Sequence, residues 1–270
     1  MKSQSPKLSS PWAWVPSLYF AEGIPYLMVM AIAAIMYKRL GLGNDEIAFY
    51  TSWLYLPWVI KPLWSPIVDI VKTKRWWIVI MEFLIGVTIA GVALTIKAPH
   101  YVQYTMAFFW LMAFSSATHD IAADGFYMIG LNSNQQSLFV GIRSTFYRIS
   151  MIAGQGLTLI LAGTLETSLG DRATAWTYTM AVVAVVFILI FLYHALALPR
   201  VERKGAPSAL HGEASATESN LCAEPTGQKN ALLAFFVVFK EFFTKPGVWV
   251  AIIFMLLYRF PEALLTKIAP

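Results

Sequence analysis

Apolar residues run almost unbroken through six stretches of the chain: Trp12–Tyr37, Ile47–Val68, Trp76–Ile96, Tyr101–Leu131, Leu138–Leu165 and Ala173–Leu198. A seventh begins near Gly247 and is still running at Pro270. A helix crosses the hydrocarbon of a bilayer with about 20 mostly apolar residues, and each complete run reaches that length. The runs are apolar all round rather than along one stripe, which argues against a soluble bundle. They are continuous rather than alternating, which argues against a membrane barrel. The pattern predicts an all-α membrane protein with a six-helix bundle over residues 1–198. A linker over 199–230, a surface-lying segment over 231–245 and the start of a seventh span over 246–270 follow.

The polar breaks refine this outline. Residues 199–230 are rich in Ala, Ser, Glu, Gly and Pro and read as a flexible cytoplasmic linker. The run Ala231–Phe243 is too short to span, and with Lys240, Glu241 and Lys245 near its end it is expected to lie along the membrane surface. Ser17–Gly23 and Leu256–Glu262 share Leu-Tyr, then Phe, then Glu. Six spans, a linker and a restart on the first-span pattern are the arrangement of a transporter built from two parallel repeats. On that reading the chain is a fragment, and about five spans of a second bundle are missing.

Composition agrees, with 58% apolar, 15% aromatic and 13% charged residues. The net charge of +5 implies no nucleic-acid partner, because the basic residues sit in connectors. With the N-terminus in the cytoplasm, Lys2, Lys7, Lys72, Lys74, Arg75, Arg200, Arg203, Lys204, Lys229, Lys240 and Lys245 fall inside. Only Lys38, Arg39, Lys97 and Arg172 then fall outside, so the N-terminus is expected in the cytoplasm. The first run is longer than a signal peptide and contains Glu22, Gly23 and Pro25, so it reads as an uncleaved span. Cys222 is the single cysteine, which excludes an intrachain disulfide.

Charges inside apolar spans cost at least a few kcal/mol each at mid-membrane and mark pathways, pairs or relays. Here they are Glu22, Lys61, Glu82, Asp120, Asp124, Arg143, Arg148, Arg259 and Glu262. Asp124 and Arg143 lie at similar depth, counted from the cytoplasmic ends of their spans, and Asp120 and Arg148 lie about a turn deeper. Asp120 and Asp124 share a helix face, whereas Arg143 and Arg148 stand about 140° apart. Asp124 with Arg143 reads as a helix-positioning pair. For Glu22, Asp120 and Arg148, a cavity role and a structural role both stand, and an Asp120–Arg148 pair is expected. Lys61 is expected to snorkel to the cytoplasmic surface, and Glu82 to act as a gate or pairing carboxylate. His119 has two readings, proton shuttle or hydrogen-bonded packing residue. Gly23 and Pro25 are expected to interrupt the first span and free carbonyls near Phe20 and Ala21.

His119, Asp120 and Asp124 lack a second histidine at i+4 and a cysteine, so no metal or other cofactor is expected. Nor is there a nucleophile elbow or a phosphate-cradling loop. The sequence therefore reads as a non-enzyme.

Three stretches resemble the AmpG-type muropeptide permeases and the related acetyl-CoA transporters, a branch of the major facilitator superfamily. They are Lys61-Pro62-Leu63-Trp64-Ser65-Pro66-Ile67-Val68-Asp69 with Lys74-Arg75-Trp76, His119-Asp120-Ile121-Ala122-Ala123-Asp124-Gly125, and Tyr147-Arg148-Ile149 with Gly154 downstream. Glu22-Gly23-Ile24-Pro25 resembles the family's Gly-x-Pro interruption in its first helix. The resemblance implies twelve spans in two bundles, alternating access, and proton-coupled uptake of a small-molecule substrate such as a muropeptide across the inner membrane. It also implies that Asp69, Lys74 and Arg75 form an inner-gate loop with both basic residues at the surface. The match there is partial, since Ile70 and Lys72 stand where the superfamily has a basic residue and a glycine. Two other classes stay open: a non-transporting membrane interaction protein and, more remotely, an intramembrane enzyme.

Overall fold

The computed structural model describes residues 10–201 together with Thr244, Gly247, Val248, Val250 and Phe254. The expected linker beyond residue 201 lies outside the described residues, as do Cys222, Arg259 and Glu262. Apart from those five positions, so do the surface segment and the seventh span.

Every regular element among the described residues is helical. The first span is a continuous rod, Pro11–Arg39, made of α1 (Pro11–Leu27), a π-helical turn (Met28–Ile32) and α2 (Ala33–Arg39). Then come α3 (Asn44–Ser52), α4 (Leu56–Ile60) and α5 (Ser65–Ile70), separated by 3₁₀ turns at Trp53–Tyr55 and Lys61–Leu63. The longer helices are α6 (Lys74–Thr95), α7 (Tyr101–Gly130), α8 (Ser133–Leu169) and α9 (Arg172–Ala197). Among the described residues four rods are long and apolar enough to cross a membrane: Pro11–Arg39, α6, α8 and α9. Helix α7 has the length, with 30 residues, but carries His119, Asp120 and Asp124.

Two expectations about helix breaks change. Pro25 lacks the N–H that would reach the Ala21 carbonyl, yet α1 runs on through it and the π turn follows downstream. A break at Glu22–Pro25 would strand backbone groups in hydrocarbon, and a wider turn is the milder adjustment. Gly23 instead serves close approach: a Cβ there would lie 1.9 Å from Ser150 Oγ and 3.0 Å from the Tyr147 carbonyl on α8. The real break is in the expected second span, where Pro57, Pro62 and Pro66 divide 44–70 into short pieces.

Local signals set the ends. Asn132 and Gln135 cap α8 reciprocally, at 2.9 and 3.1 Å, and Gly170 closes it in the left-handed conformation at φ 67°. Asp171 caps α9 by accepting from the Thr174 amide at 3.0 Å. Lys72, at the position where the resemblance expects glycine, adopts φ 64°.

Helix α6 packs on α7 and α9, and α1 packs on α8 and α7. The apolar side chains form two cores. One gathers Ile24, Leu27, Ile85, Phe109, Met112 and Phe187; the other gathers Leu18, Tyr19, Ile78, Ala122, Phe126 and Leu198. On every helix that feeds both, the residues between the two sets include polar ones. The charged and histidine side chains among them are Glu22 on α1, Glu82 on α6, His119 and Asp120 on α7, Arg143 and Arg148 on α8, and His194 near the end of α9.

Candidate functional site

That polar layer divides into an open cluster and a sealed one. In the open cluster, Asp120 of α7 is mostly buried, and its Oδ2 accepts from Trp58 Nε1 of α4 at 3.1 Å. The Lys61 ammonium lies 3.9 Å from the same oxygen. The 3₁₀ turn at Lys61–Leu63 brings it there, so Lys61 does not simply snorkel to the surface. Lone charges are strongly disfavoured at this depth, and a nearby carboxylate is the better partner.

One turn along α7, Asp124 accepts from Arg143 Nη1 at 2.9 Å and from the Tyr19 hydroxyl at 3.1 Å. The Arg143 guanidinium stands 5.2 Å from the Tyr19 ring centre and 5.0 Å from that of Tyr127, a cation–π sandwich. The expected Asp124–Arg143 pair is therefore formed, with Asp124 still half open to the outside at 53% exposure. The expected Asp120–Arg148 pair is not. Arg148 is exposed and makes no ion pair among the described residues. Depth was matched, but rotation was not: five residues turn a helix about 140° past its starting face.

Glu22 completes the open cluster from α1. Asp120, Asp124, Lys61 and Arg143 all act on it electrostatically, and its Oε2 is buried without a hydrogen-bond partner among the described residues. Aromatic side chains frame these charges. Tyr26 stands edge-on to Trp58 at 5.2 Å, and Tyr55 stacks near Trp58 at 6.5 Å. Tyr147, one residue before Arg148, faces Asp120, Glu22, Tyr26 and Tyr55. Three carboxylates, two cations and a set of rings are thus held on α1, the 44–70 segment, α7 and α8. Such a face can bind a solute carrying both charge and flat or ring surface.

In the sealed cluster, Glu82 of α6 has no exposed surface. Its Oε1 lies 2.6 Å from His194 Nδ1 of α9 and 3.3 Å from His119 Nε2 of α7, and its buried Oε2 has no hydrogen-bond partner among the described residues. His194 Nε2 meets Ser17 Oγ of α1 at 3.0 Å. Glu82 is thus a pairing carboxylate, and His119 turns away from Asp120 to bind it. Sequence reading missed His194 and Ser17, along with Trp58 and the tyrosines of the open face. The available signal was Glu82 itself, a charge with no partner on its own helix.

The loop before α6 departs from expectation. Lys74 bonds Asp69 but is buried, its stem so close over Gly125 that a Cβ there would lie 2.7 Å from Cε. Arg75 donates to the Ala195 and Leu198 carbonyls at the end of α9, at 2.5 and 3.0 Å. These carbonyls have no helical partners and attract a cation, so neither basic residue simply points into water. Among the described residues no cluster of ligating side chains fits a metal ion.

Comparison with known proteins adds a family. Residues 22–262 match the model described as the BT1 family. The chain is 24% identical over 258 residues to an uncharacterized protein of Haemophilus influenzae, a match covering 92% of this chain and 53% of that one. It is 22% identical over 251 residues to the anhydromuropeptide permease of Escherichia coli K12, covering 91% of this chain and 45% of the permease. A further match, to an uncharacterized protein of Schizosaccharomyces pombe, is 28% identical over 145 residues, covering 48% of this chain and 28% of that protein. The chain thus spans about half the length of the two relatives it matches along most of its own length.

Proposed function

The chain belongs to the BT1 family, of major facilitator type, and from that premise we propose that it forms one wall of a secondary transporter. The cargo on this reading is an anhydromuropeptide or a similar amphipathic metabolite, taken up across the inner membrane with protons. The N-terminus faces the cytoplasm, and a second bundle supplies the opposite wall. The likeness to the E. coli permease supports the cargo. The observation that carries the reading is Asp120, nine-tenths buried between Trp58 and Lys61, together with Glu22, whose buried Oε2 has no hydrogen-bond partner among the described residues. Structural ion pairs need no surrounding rings. A sugar-bearing, charged solute uses both, since rings stack on its faces while Lys61 and Arg143 meet its carboxylates.

Roles follow by position. Lys61 and Arg143 attract the anionic groups of the cargo. Glu22 and Asp120 are the proton-carrying candidates, because each is a carboxylate inside a span where a proton removes the cost of the charge. Arg148, exposed beside Tyr147, is left to meet cargo or the opposite wall. The test is uptake of labelled anhydromuropeptide into proteoliposomes holding this bundle with its second half. Saturable uptake that an uncoupler stops, and that Asp120→Asn lowers at least about tenfold, is expected. Undiminished uptake by Asp120→Asn, or uptake indifferent to the proton gradient, overturns the assignment.

A further inference from the structure

We propose that Glu82, His119, His194 and Ser17 form a second, sealed site whose ligand is a single proton. That proton is held as an imidazolium on His194 against the Glu82 carboxylate. Hydrogen-bond bookkeeping and burial place the proton there, independently of the transport reading.

Ser17 has one hydroxyl hydrogen. Its Oγ lies 3.2 Å from the Trp14 carbonyl, which can only accept, and 3.0 Å from His194 Nε2. If the hydroxyl donates to Trp14, Nε2 must carry a hydrogen and donate to Ser17. On the other side of the ring, Nδ1 lies 2.6 Å from Glu82 Oε1, which can only accept when Glu82 is ionised. Both ring nitrogens of His194 are then donors, which is the imidazolium. His119 needs only its Nε2 hydrogen, for Glu82, and its Nδ1 has no partner among the described residues. A lone pair there is tolerable, whereas a second N–H on that ring would be stranded.

Charge calls for the same single added proton. Glu82, His119 and His194 expose between 0 and 1% of their side chains. A bare carboxylate with two neutral imidazoles would leave one uncompensated charge in this interior, which is strongly destabilising. One added proton makes the cluster neutral. Among the described residues no other group takes that part. Helix α6 brings only Glu82 to this level, and α1 brings the neutral Ser17. On α7 the next acid, Asp120, faces Trp58 and Lys61. On α9, Tyr193 lies beside His194 but donates its hydroxyl to the Ala13 carbonyl. Asp69, on α5, is held by Lys74 two turns of α6 away. The proton therefore joins α9 and α1 to α6 and α7 across the level where the two apolar cores part.

The test is nitrogen NMR of the 270-residue chain in lipid nanodiscs with labelled histidine. The chain has four histidines, and His100→Gln with His211→Gln reduces the spectrum to the two cluster rings. At neutral pH, His194 is expected to carry hydrogen on both nitrogens and His119 on Nε2 alone. Glu82→Gln should strip one hydrogen from His194. Should that variant not fold, infrared spectra of the unaltered chain decide instead. No band of a protonated carboxyl should remain after subtraction of bands sensitive to Glu22→Gln, Asp120→Asn and the other acidic positions. A singly protonated His194 in the unaltered chain, a His194 unchanged by Glu82→Gln, or a protonated Glu82 overturns the proposal.

Discussion

His119 and Asp120 are neighbours on α7, yet they belong to different worlds. A step of one residue turns a helix about 100°, so His119 faces α6 and α9 while Asp120 faces the 44–70 segment and α1. On the His119 side Glu82, His119 and His194 are within 1% of complete burial, and only Ser17, at the edge of the cluster, is partly exposed. The protein supplies its own counter-charge there, and the cluster has no need of a solute. On the Asp120 side the ion pairs are partial. Lys61 stands 3.9 Å off, Asp124 is half exposed, and Glu22 keeps an oxygen without a partner among the described residues. Incomplete pairing costs stability in a membrane interior, so its persistence points to a partner that comes and goes. The same layer of the bundle thus holds a buried polar network and one that is partly open to its surroundings.

The largest difference between them should appear on removing one charge. Glu82→Leu breaks the buried pair: His194 gives up its extra proton and buried ring N–H groups lose their acceptor, so the bundle should be destabilised by about 3–5 kcal/mol, as breaking a buried pair does. The triple change Glu82→Leu, His119→Phe, His194→Phe should recover much of that loss, because no buried ring N–H remains without an acceptor. Unfolding in graded denaturing detergent reads both. If the single and triple variants lose the same amount, the sealed cluster is not a charge pair.

Next in size is a substitution that separates the two helices carrying the open face. Gly23→Val puts a branched side chain against Ser150 and the Tyr147 carbonyl. It should cost about 1–3 kcal/mol by overpacking and reduce uptake as Tyr147 and Arg143 shift relative to Glu22. Gly23→Ala should fall between, since the Ser150 hydroxyl can rotate but the backbone carbonyl cannot. A neutral Gly23→Val would mean that α1 and α8 do not meet there.

Asp124→Asn should be far milder than Glu82→Leu, at about 0–1 kcal/mol, because the pair with Arg143 is open to its surroundings. Its effect on uptake should exceed its effect on the melting curve. A loss as large as that of Glu82→Leu would erase the contrast between the clusters.

Asp171 lies outside both clusters and gives the smallest expected effect. Hydrogen bonds from the Thr174 hydroxyl, then from the Thr174 and Ala173 amides, hold its carboxyl below the usual aspartate range. A depressed carboxylate stabilises above its unfolded range and loses that contribution as pH falls through its folded value. The gap in stability between the unaltered chain and Asp171→Ala should therefore close on acidification. A gap that widens in acid would reverse the sign.

Sequence made part of this legible. Run lengths located α6, α7 and α9 to within two residues of their ends, because a bilayer fixes span length. Matching depth identified Asp124 with Arg143 correctly. It failed for Asp120, because depth carries no information about rotation and Lys61 was assigned to the surface. The breaks in 44–70 were written in Pro57, Pro62 and Pro66, but hydropathy alone reads those residues as one span. The sealed cluster was hidden for a different reason. Glu82, His119, His194 and Ser17 stand on four helices, and only packing brings them together.

The contrast between the two clusters can be read in one labelling experiment. The folded chain, assembled with its second bundle in nanodiscs, is treated with a water-soluble carbodiimide and an amine. Modification is then followed by mass spectrometry with and without anhydromuropeptide. Asp124, and more slowly Asp120 and Glu22, should be modified, and cargo should slow all three, while Glu82 should stay unmodified in both conditions. Modification of Glu82 at the rate of Asp120, or labelling of the open carboxylates that cargo leaves unchanged, would contradict the division of the bundle into a sealed proton site and an open solute face.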